Sequence, residues 1–297
     1  MARLPDFLII GAMKSGTTTL YHDLLGHPRV FFPVSKELNH LMNLTNPQVL
    51  TEAGREEYSQ HFEEARDDQI CGEASTVYTK RPDYDHAAAH ARQLIGSDLR
   101  ILYIIRDPIK RIVSQYQHEI LEGRYQFSLD EAIEKVPSLI NYSRYAMQLQ
   151  PWMDTFGREA VKVIRFEDYI ADRVAGCASA LQFLGLDPAQ VQVDTNAVYN
   201  KTEGKPLSKG WAYRLTRTSL YQNWIRPHVS IKARDMFRRM LLPKAEKPKA
   251  ELTPELAYRL AEQLIPDQEQ LADMLGRDTP LWDLRQKYQQ TSSKNPD

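Results

Sequence analysis

Apolar residues occur in short unbroken runs at the start of the chain and again near residue 100. Phe7-Leu8-Ile9-Ile10 and Ile101-Leu102-Tyr103-Ile104-Ile105 lack polar alternation and are rich in β-branched and large side chains. That is the pattern of strands covered on both faces of a parallel sheet. Ile70 to Glu73 and Val161 to Phe166 read as further strands, and Arg29 to Pro33 as a short extended piece. Between these runs the spacing turns helical. Helices are predicted over Thr17–Leu25, Gln48–Phe62, Pro82–Ile95, Ile109–Glu122 and Ala171–Leu184. The hydroxyl residues at 17–19 can cap the first of them, Pro108 suits the first turn of the fourth, and Gly185 ends the last. Strands alternating with helices predict an α/β fold of three layers, a central and mainly parallel sheet flanked by helices. Residues after Asn200 read as loop and helix. Residues 1–287 are expected to form one domain, with 288–297 as a polar, disordered tail.

Composition narrows the class. The chain has 297 residues, 42% hydrophobic and 26% charged, enough for a full core at an ordinary charge density. A net charge of −1 argues against a general nucleic-acid binder. The first strand begins so early that no signal peptide fits before it, and no apolar run approaches the roughly 20 residues of a membrane span. With only Cys71 and Cys177, the expectation is a cytoplasmic protein with two reduced, buried thiols.

Four segments carry candidate chemistry. The first is Gly11-Ala12-Met13-Lys14-Ser15-Gly16-Thr17-Thr18-Thr19, between the first strand and the first helix. Backbone N–H groups at a helix start, with a lysine and several hydroxyls, form a phosphate-type anion cradle, so the fold is expected to be P-loop-like. A nucleotide-triphosphatase loop has its lysine after the second glycine. Here Thr17 follows Gly16 and the lysine, Lys14, lies inside the loop. The second segment is Arg106-Asp107-Pro108 with Ser114 two turns into the next helix. A guanidinium at the carboxyl end of a central strand suits a second phosphate. Taken alone, Arg106 could equally pair with Asp107, and Asp107 reads as a helix cap.

The third segment, Lys36-Glu37-Leu38-Asn39-His40, offers two candidate bases, Glu37 and His40. By itself Lys36-Glu37 would pass for a surface ion pair. The fourth, Asn200 to Gly210, is glycine-containing and basic. It opens a stretch from 205 to 249 in which Asp235 and Glu246 are the only acids. Such a stretch is either a solvated basic face or a surface that attracts an anion.

Together the four segments resemble the sulfotransferases that use 3′-phosphoadenosine 5′-phosphosulfate (PAPS). The resemblance rests on Phe7 to Thr18, on Ile105-Arg106-Asp107-Pro108 running to Ser114-Gln115-Tyr116, and on Gly72-Glu73-Ala74-Ser75, Phe166-Glu167-Asp168-Tyr169, Phe183-Leu184-Gly185-Leu186 and Leu275-Gly276-Arg277. It is strongest to the branch of heparan sulfate and bacterial sulfotransferases. It implies that Lys14 stabilises the bridging oxygen, that Ser15, Gly16, Thr17 and Thr18 cradle the 5′-phosphate, and that Arg106 and Ser114 hold the 3′-phosphate. It further implies Glu37 as general base and Ser208, Lys209 and Gly210 as a closing loop. No metal is implied. In two places the chain departs from the polysaccharide enzymes. Ala74 stands where they carry a lysine, and their late disulfide-closed loop is replaced by the cysteine-free Asn200–Gly210. The alternatives are a P-loop kinase using ATP and Mg²⁺, for which Asp107 would serve as the metal-side acid, or a catalytically silent nucleotide-binding protein. The implied partners are an anionic nucleotide donor and a hydroxyl or amine acceptor. Tyr78, Tyr116, His118, Tyr142, Tyr145 and Trp152 are candidate acceptor-pocket walls or core residues. Trp211, Leu215 and Trp224 could cover the site, touch a membrane surface or pack on the sheet.

Overall fold

The computed structural model describes residues 3–42, 51–197, 199 and 250–289. A five-stranded sheet runs through it in the order β2-β3-β1-β4-β5, and every pairing is parallel. The strands are β1 (Phe7–Gly11), β2 (Val30–Phe31), β3 (Ile70–Ala74), β4 (Arg100–Ile105) and β5 (Val161–Arg165). β1 and β4 lie side by side at the centre, and all their residues except Arg100 are buried. This is why their sequences show no polar alternation.

Successive residues of these strands point to opposite faces and enter two separate cores. Leu8, Ile10, Ile101, Tyr103 and Ile105 pack on one side. They meet α2 (Glu52–Gln60), α3 (Ala87–Leu94), α4 (Pro108–Leu121), α7 (Tyr145–Phe156) and α10 (Pro254–Met274). Phe7, Ile9, Leu102 and Ile104 pack on the other, against α1 (Thr17–Leu25) and α9 (Arg173–Phe183). Three layers result, as the sequence predicts. Between α1 and α9 the buried Asp23 accepts the Tyr169 hydroxyl at 2.7 Å and is paired with Arg173. Both Cys71 and Cys177 are free and buried, and burial pushes their thiols up to about 11 and about 12.

Some boundaries differ from the sequence reading. The helix predicted from Pro82 starts only at Ala87. Residues 81–83 form a turn, held by the Tyr142 hydroxyl on Asp83 and by the Arg81–Asp85 pair. β5 stops at Arg165, because Phe166 opens the short helix α8 (Phe166–Ala171), and Asp172 then caps α9. Four helices before Asn200 go beyond the predicted set: α5 (Leu129–Lys135), α6 (Ser138–Asn141), α7 and α8. In the region after Asn200 the described helices are α10 and α11 (Leu284–Lys287). α5 begins with a Ser128–Glu131 capping box, a signature the sequence displays. Tyr288, placed by the sequence at the start of the tail, is held to the fold by a 3.0 Å hydrogen bond from its hydroxyl to Asp107. Among the described residues no helix is long and apolar enough to cross a membrane.

Candidate functional site

The chain leaves β1 toward β2 and leaves β4 toward β5, on opposite sides of the sheet. Between the carboxyl ends of these two adjacent strands lies the switch point, where open α/β sheets bind ligands. The loop after β1 opens there. Its Ala12 N–H donates to Ile104 of β4 at 2.6 Å, tying the loop to the neighbouring strand. Lys14 and Gly16 adopt positive φ, 68° and 92°. At Gly16 a Cβ would lie 2.6 Å from the Phe166 ring, so both conformation and space call for glycine. Gly16 is also the N-cap residue of α1, and no side chain caps that helix. The expected hydroxyl cap is therefore absent, and a helix N-terminus without a side-chain cap is the kind of place that suits an anion. Ser15 and Thr17 are buried, while Lys14 and Thr18 are half-buried at the rim.

Beneath the loop lies a residue that the sequence reading missed. Arg111, fully buried in α4, donates to Gln115 and to the Leu139 carbonyl, both at 2.8 Å, and to Ser143. It also reaches the carbonyl of Met13 at 3.5 Å. Nothing in its spacing separates it from an exposed helix arginine.

Arg106 follows the last residue of β4. Its guanidinium stands over the Phe166 ring at 5.1 Å, and its Nε is buried with no hydrogen-bond partner among the described residues. Asp107 does not supply that partner. Its carboxylate caps α4 through Ile109 and Lys110, both at 3.0 Å, and accepts from Lys287 and Tyr288. The Arg106–Asp107 pairing considered from sequence is thus ruled out, and the cap reading of Asp107 holds. Phe166 touches the space above Gly16 on one side and carries Arg106 on the other, so one ring spaces the loop from Arg106. Ser114 is half-buried on α4.

Glu37 approaches from the other edge of the loop. Its backbone has φ 62°, and its N–H donates to the Ala74 carbonyl at 3.0 Å. The carboxylate accepts from the N–H of Thr76 at 2.8 Å and from its hydroxyl at 3.3 Å. Lys36 links this group to the loop after β1, donating to Thr18 Oγ1 at 3.0 Å and lying 3.6 Å from Glu37 Oε1. Burial pulls the Lys36 ammonium below the usual lysine range, and Glu37 partly restores it.

The segment 37–41 rests on a buried polar cluster. Glu73 accepts from the hydroxyls of Ser75, Tyr78 and Tyr58. Ser75 in turn accepts the Asn39 N–H at 3.0 Å, and Tyr78 accepts the Leu41 N–H at 3.3 Å. Burial pushes the Glu73 carboxyl above its ordinary range, against the pull of the three hydroxyls. His40, the rival base, is only 5% exposed. It is stacked on Tyr58 at 4.3 Å and bonded to the Gly54 carbonyl at 3.1 Å. Of the candidate pocket walls, Tyr78, Tyr116, Tyr145 and Trp152 belong to the core, Tyr142 is buried nearer the surface, and His118 is half-buried on α4. Ser208, Lys209 and Gly210, the basic stretch to 249, and Trp211, Leu215 and Trp224 within it lie outside the described residues.

Residues 4–247 match the family model described as a sulfotransferase domain. The membrane-associated sulfotransferase kil1 of Dictyostelium discoideum is 32% identical over 120 residues, 39% of this chain and 23% of that protein. Human heparan sulfate glucosamine 3-O-sulfotransferase 3B1 is 26% identical over 218 residues, 70% of this chain and 52% of that protein. The chain thus spans about half or less of the length of these curated relatives. A solved sulfotransferase from Alicyclobacillus acidocaldarius is 25% identical with a TM-score of 0.66, covering 94% of this chain and 98% of that one. The domain model runs through the loop after β1 and through Arg106 after β4, and the bacterial structure follows nearly the whole chain. On these grounds the protein belongs to the sulfotransferase family.

Proposed function

We propose that this chain moves a sulfuryl group from PAPS to a hydroxyl or amine of a carbohydrate or small-molecule acceptor. The observation that carries the reading is the pair of anion sites at one switch point. The loop from Lys14 to Thr18 offers N–H groups and a lysine. Beside it Arg106 offers a buried N–H with no partner among the described residues. PAPS has negative charge at two separated places, and these residues fit it. Lys14, Ser15, Gly16, Thr17 and Thr18 would hold the 5′ end, and Arg106 with Ser114 the 3′-phosphate. Ser208, Lys209 and Gly210 would close over it. No residue is assigned to a metal.

In this reading Glu37 takes the proton from the acceptor as the acceptor oxygen or nitrogen bonds to sulfur. Lys14 neutralises the charge that collects on the bridging oxygen as its bond to sulfur breaks. Adenosine 3′,5′-bisphosphate is the other product. Positioning and fixed charge supply the acceleration, as in phosphoryl transfer. The site around Glu37 supports it as the base in preference to His40, whose ring is committed to Tyr58 and Gly54.

The kinase alternative would need Asp107 on the metal side, but this carboxylate already serves α4, Lys287 and Tyr288. The silent-protein alternative is disfavoured by the care with which Thr76 and Lys36 hold Glu37 beside the loop. Two buried free thiols support a cytoplasmic location. The test is a labelled-PAPS transfer screen over hydroxyl and amine acceptors, with Glu37→Gln as control. Label transfer by the wild type that Glu37→Gln abolishes is expected. Transfer that survives in the variant would remove Glu37 from the base role.

A further inference from the structure

A second lysine lies close enough to Glu37 to feel its charge. Lys80 directly follows the short 3-10 turn Thr76–Thr79, whose first residue holds the Glu37 carboxylate. The turn is fixed at several points. Thr79 donates to the Ile10 carbonyl at 2.9 Å, and the Tyr78 hydroxyl binds Glu73. Just beyond, Gln148 accepts the Arg81 N–H at 2.8 Å and donates to the Arg81 carbonyl at 3.0 Å. The backbone on both sides of Lys80 is therefore held.

Its side chain is half-buried, with the ammonium over the Tyr142 ring at 5.8 Å. Among the described residues this ammonium makes no hydrogen bond and no ion pair. Burial lowers its affinity for a proton, and Glu37 is the carboxylate that offsets this most, ahead of Glu119. The other charges near it have partners. Glu119 is paired with Arg124, and Arg111 is spent on Ser143, Gln115 and Leu139. A desolvated cation that lacks its own anion is costly unless a ligand supplies one.

We propose that Lys80 binds an anionic group of the acceptor, so that the acceptor is a hydroxyl or amine compound carrying a carboxylate, phosphate or sulfate near the group that is sulfated. This rests on the proposed transfer to an acceptor at Glu37 and names that acceptor's chemical class. Ala74, which stands in β3 where the polysaccharide enzymes carry a lysine, gives no charge there. Lys80 carries a charge at the end of the adjoining turn, over Tyr142.

The experiment uses acceptors in matched pairs, each a hydroxy acid and its methyl ester, with labelled PAPS and the full chain. Calorimetry with adenosine 3′,5′-bisphosphate runs alongside on each variant. The wild type is expected to favour the acid of a pair by roughly tenfold or more in kcat/KM, as a charged hydrogen bond would give. Lys80→Met, which keeps the apolar stem over Tyr142, should bring that ratio to about one with bisphosphate affinity unchanged. Lys80→Arg should keep part of the preference. No preference for any acid in the wild type, or a preference that survives in Lys80→Met, overturns the proposal. An equal loss on acid and ester in Lys80→Met also overturns it, because the lysine would then serve only Glu37. Absence of bisphosphate binding in the wild type would instead strike the donor reading on which the proposal stands.

Discussion

Arg106 presents one buried N–H with no partner among the described residues, on a guanidinium backed by Phe166. A 3′-phosphate would complete it, and a nucleotide lacking that phosphate would not. Arg106→Ala should therefore weaken adenosine 3′,5′-bisphosphate by roughly ten- to a hundredfold while changing adenosine 5′-phosphate little, as read by calorimetry. Equal losses would mean that Arg106 does not meet the 3′-phosphate. Glu37 gives a complementary test, because a base acts on the acceptor. Glu37→Gln should cut kcat by about 10²–10⁴ and leave bisphosphate affinity intact. His40→Ala should act mainly through stability, since it removes a buried ring stacked on Tyr58.

The residue scale also shows what the sequence leaves hidden. Lys14, Arg106 and Glu37 stand in recognisable local patterns. Arg111 does not, because an arginine in an amphipathic helix reads as exposed, and its tie to Met13 joins residues 98 apart in the sequence. The Glu73 cluster is equally hidden, since Tyr58, Ser75 and Tyr78 meet only when α2 folds over β3.

At the scale of elements, α7 has an unusual start. Arg144 precedes it with no side-chain cap, and Asp267 from α10 accepts the N–H groups of Ala146 and Met147 at 3.1 and 3.0 Å. Burial pushes the Asp267 carboxyl from its ordinary 3.8 to about 6, against the pull of those donors. The folded chain thus holds this proton more readily than the unfolded chain. Between about pH 6 and pH 4 the group adds stability as the pH falls, and it loses that stability as the pH rises through about 6. Asp267→Asn cannot titrate. Comparing urea unfolding of the two proteins across this window should show a relative slope worth about 1–3 kcal/mol, the wild type gaining on acidification. A difference independent of pH would refute the assignment.

The same elements show where the pattern reading stops. β1 and β4 are legible because burial on both faces leaves only apolar residues. α7 and α10 each carry an internal proline, Pro151 and Pro266, which interrupts the helical signal although both helices continue through it.

Across the whole molecule, the parallel sheet places two strand ends together, and each brings one of the proposed anion sites. α4 supports both, with Asp107 capping it beside Arg106 and Arg111 reaching back under the loop. Lys36 and Thr76 then bring Glu37 to the edge of that cradle. A nucleotide with charge at both its 5′ and 3′ positions meets the two sites at once, whereas ATP meets one. Calorimetric titration of the wild-type chain with adenosine 3′,5′-bisphosphate and with ATP·Mg²⁺, the former without added metal, tests this most directly. Tight binding of the bisphosphate and much weaker binding of ATP·Mg²⁺ is the expected result. Preference for ATP·Mg²⁺ would contradict it.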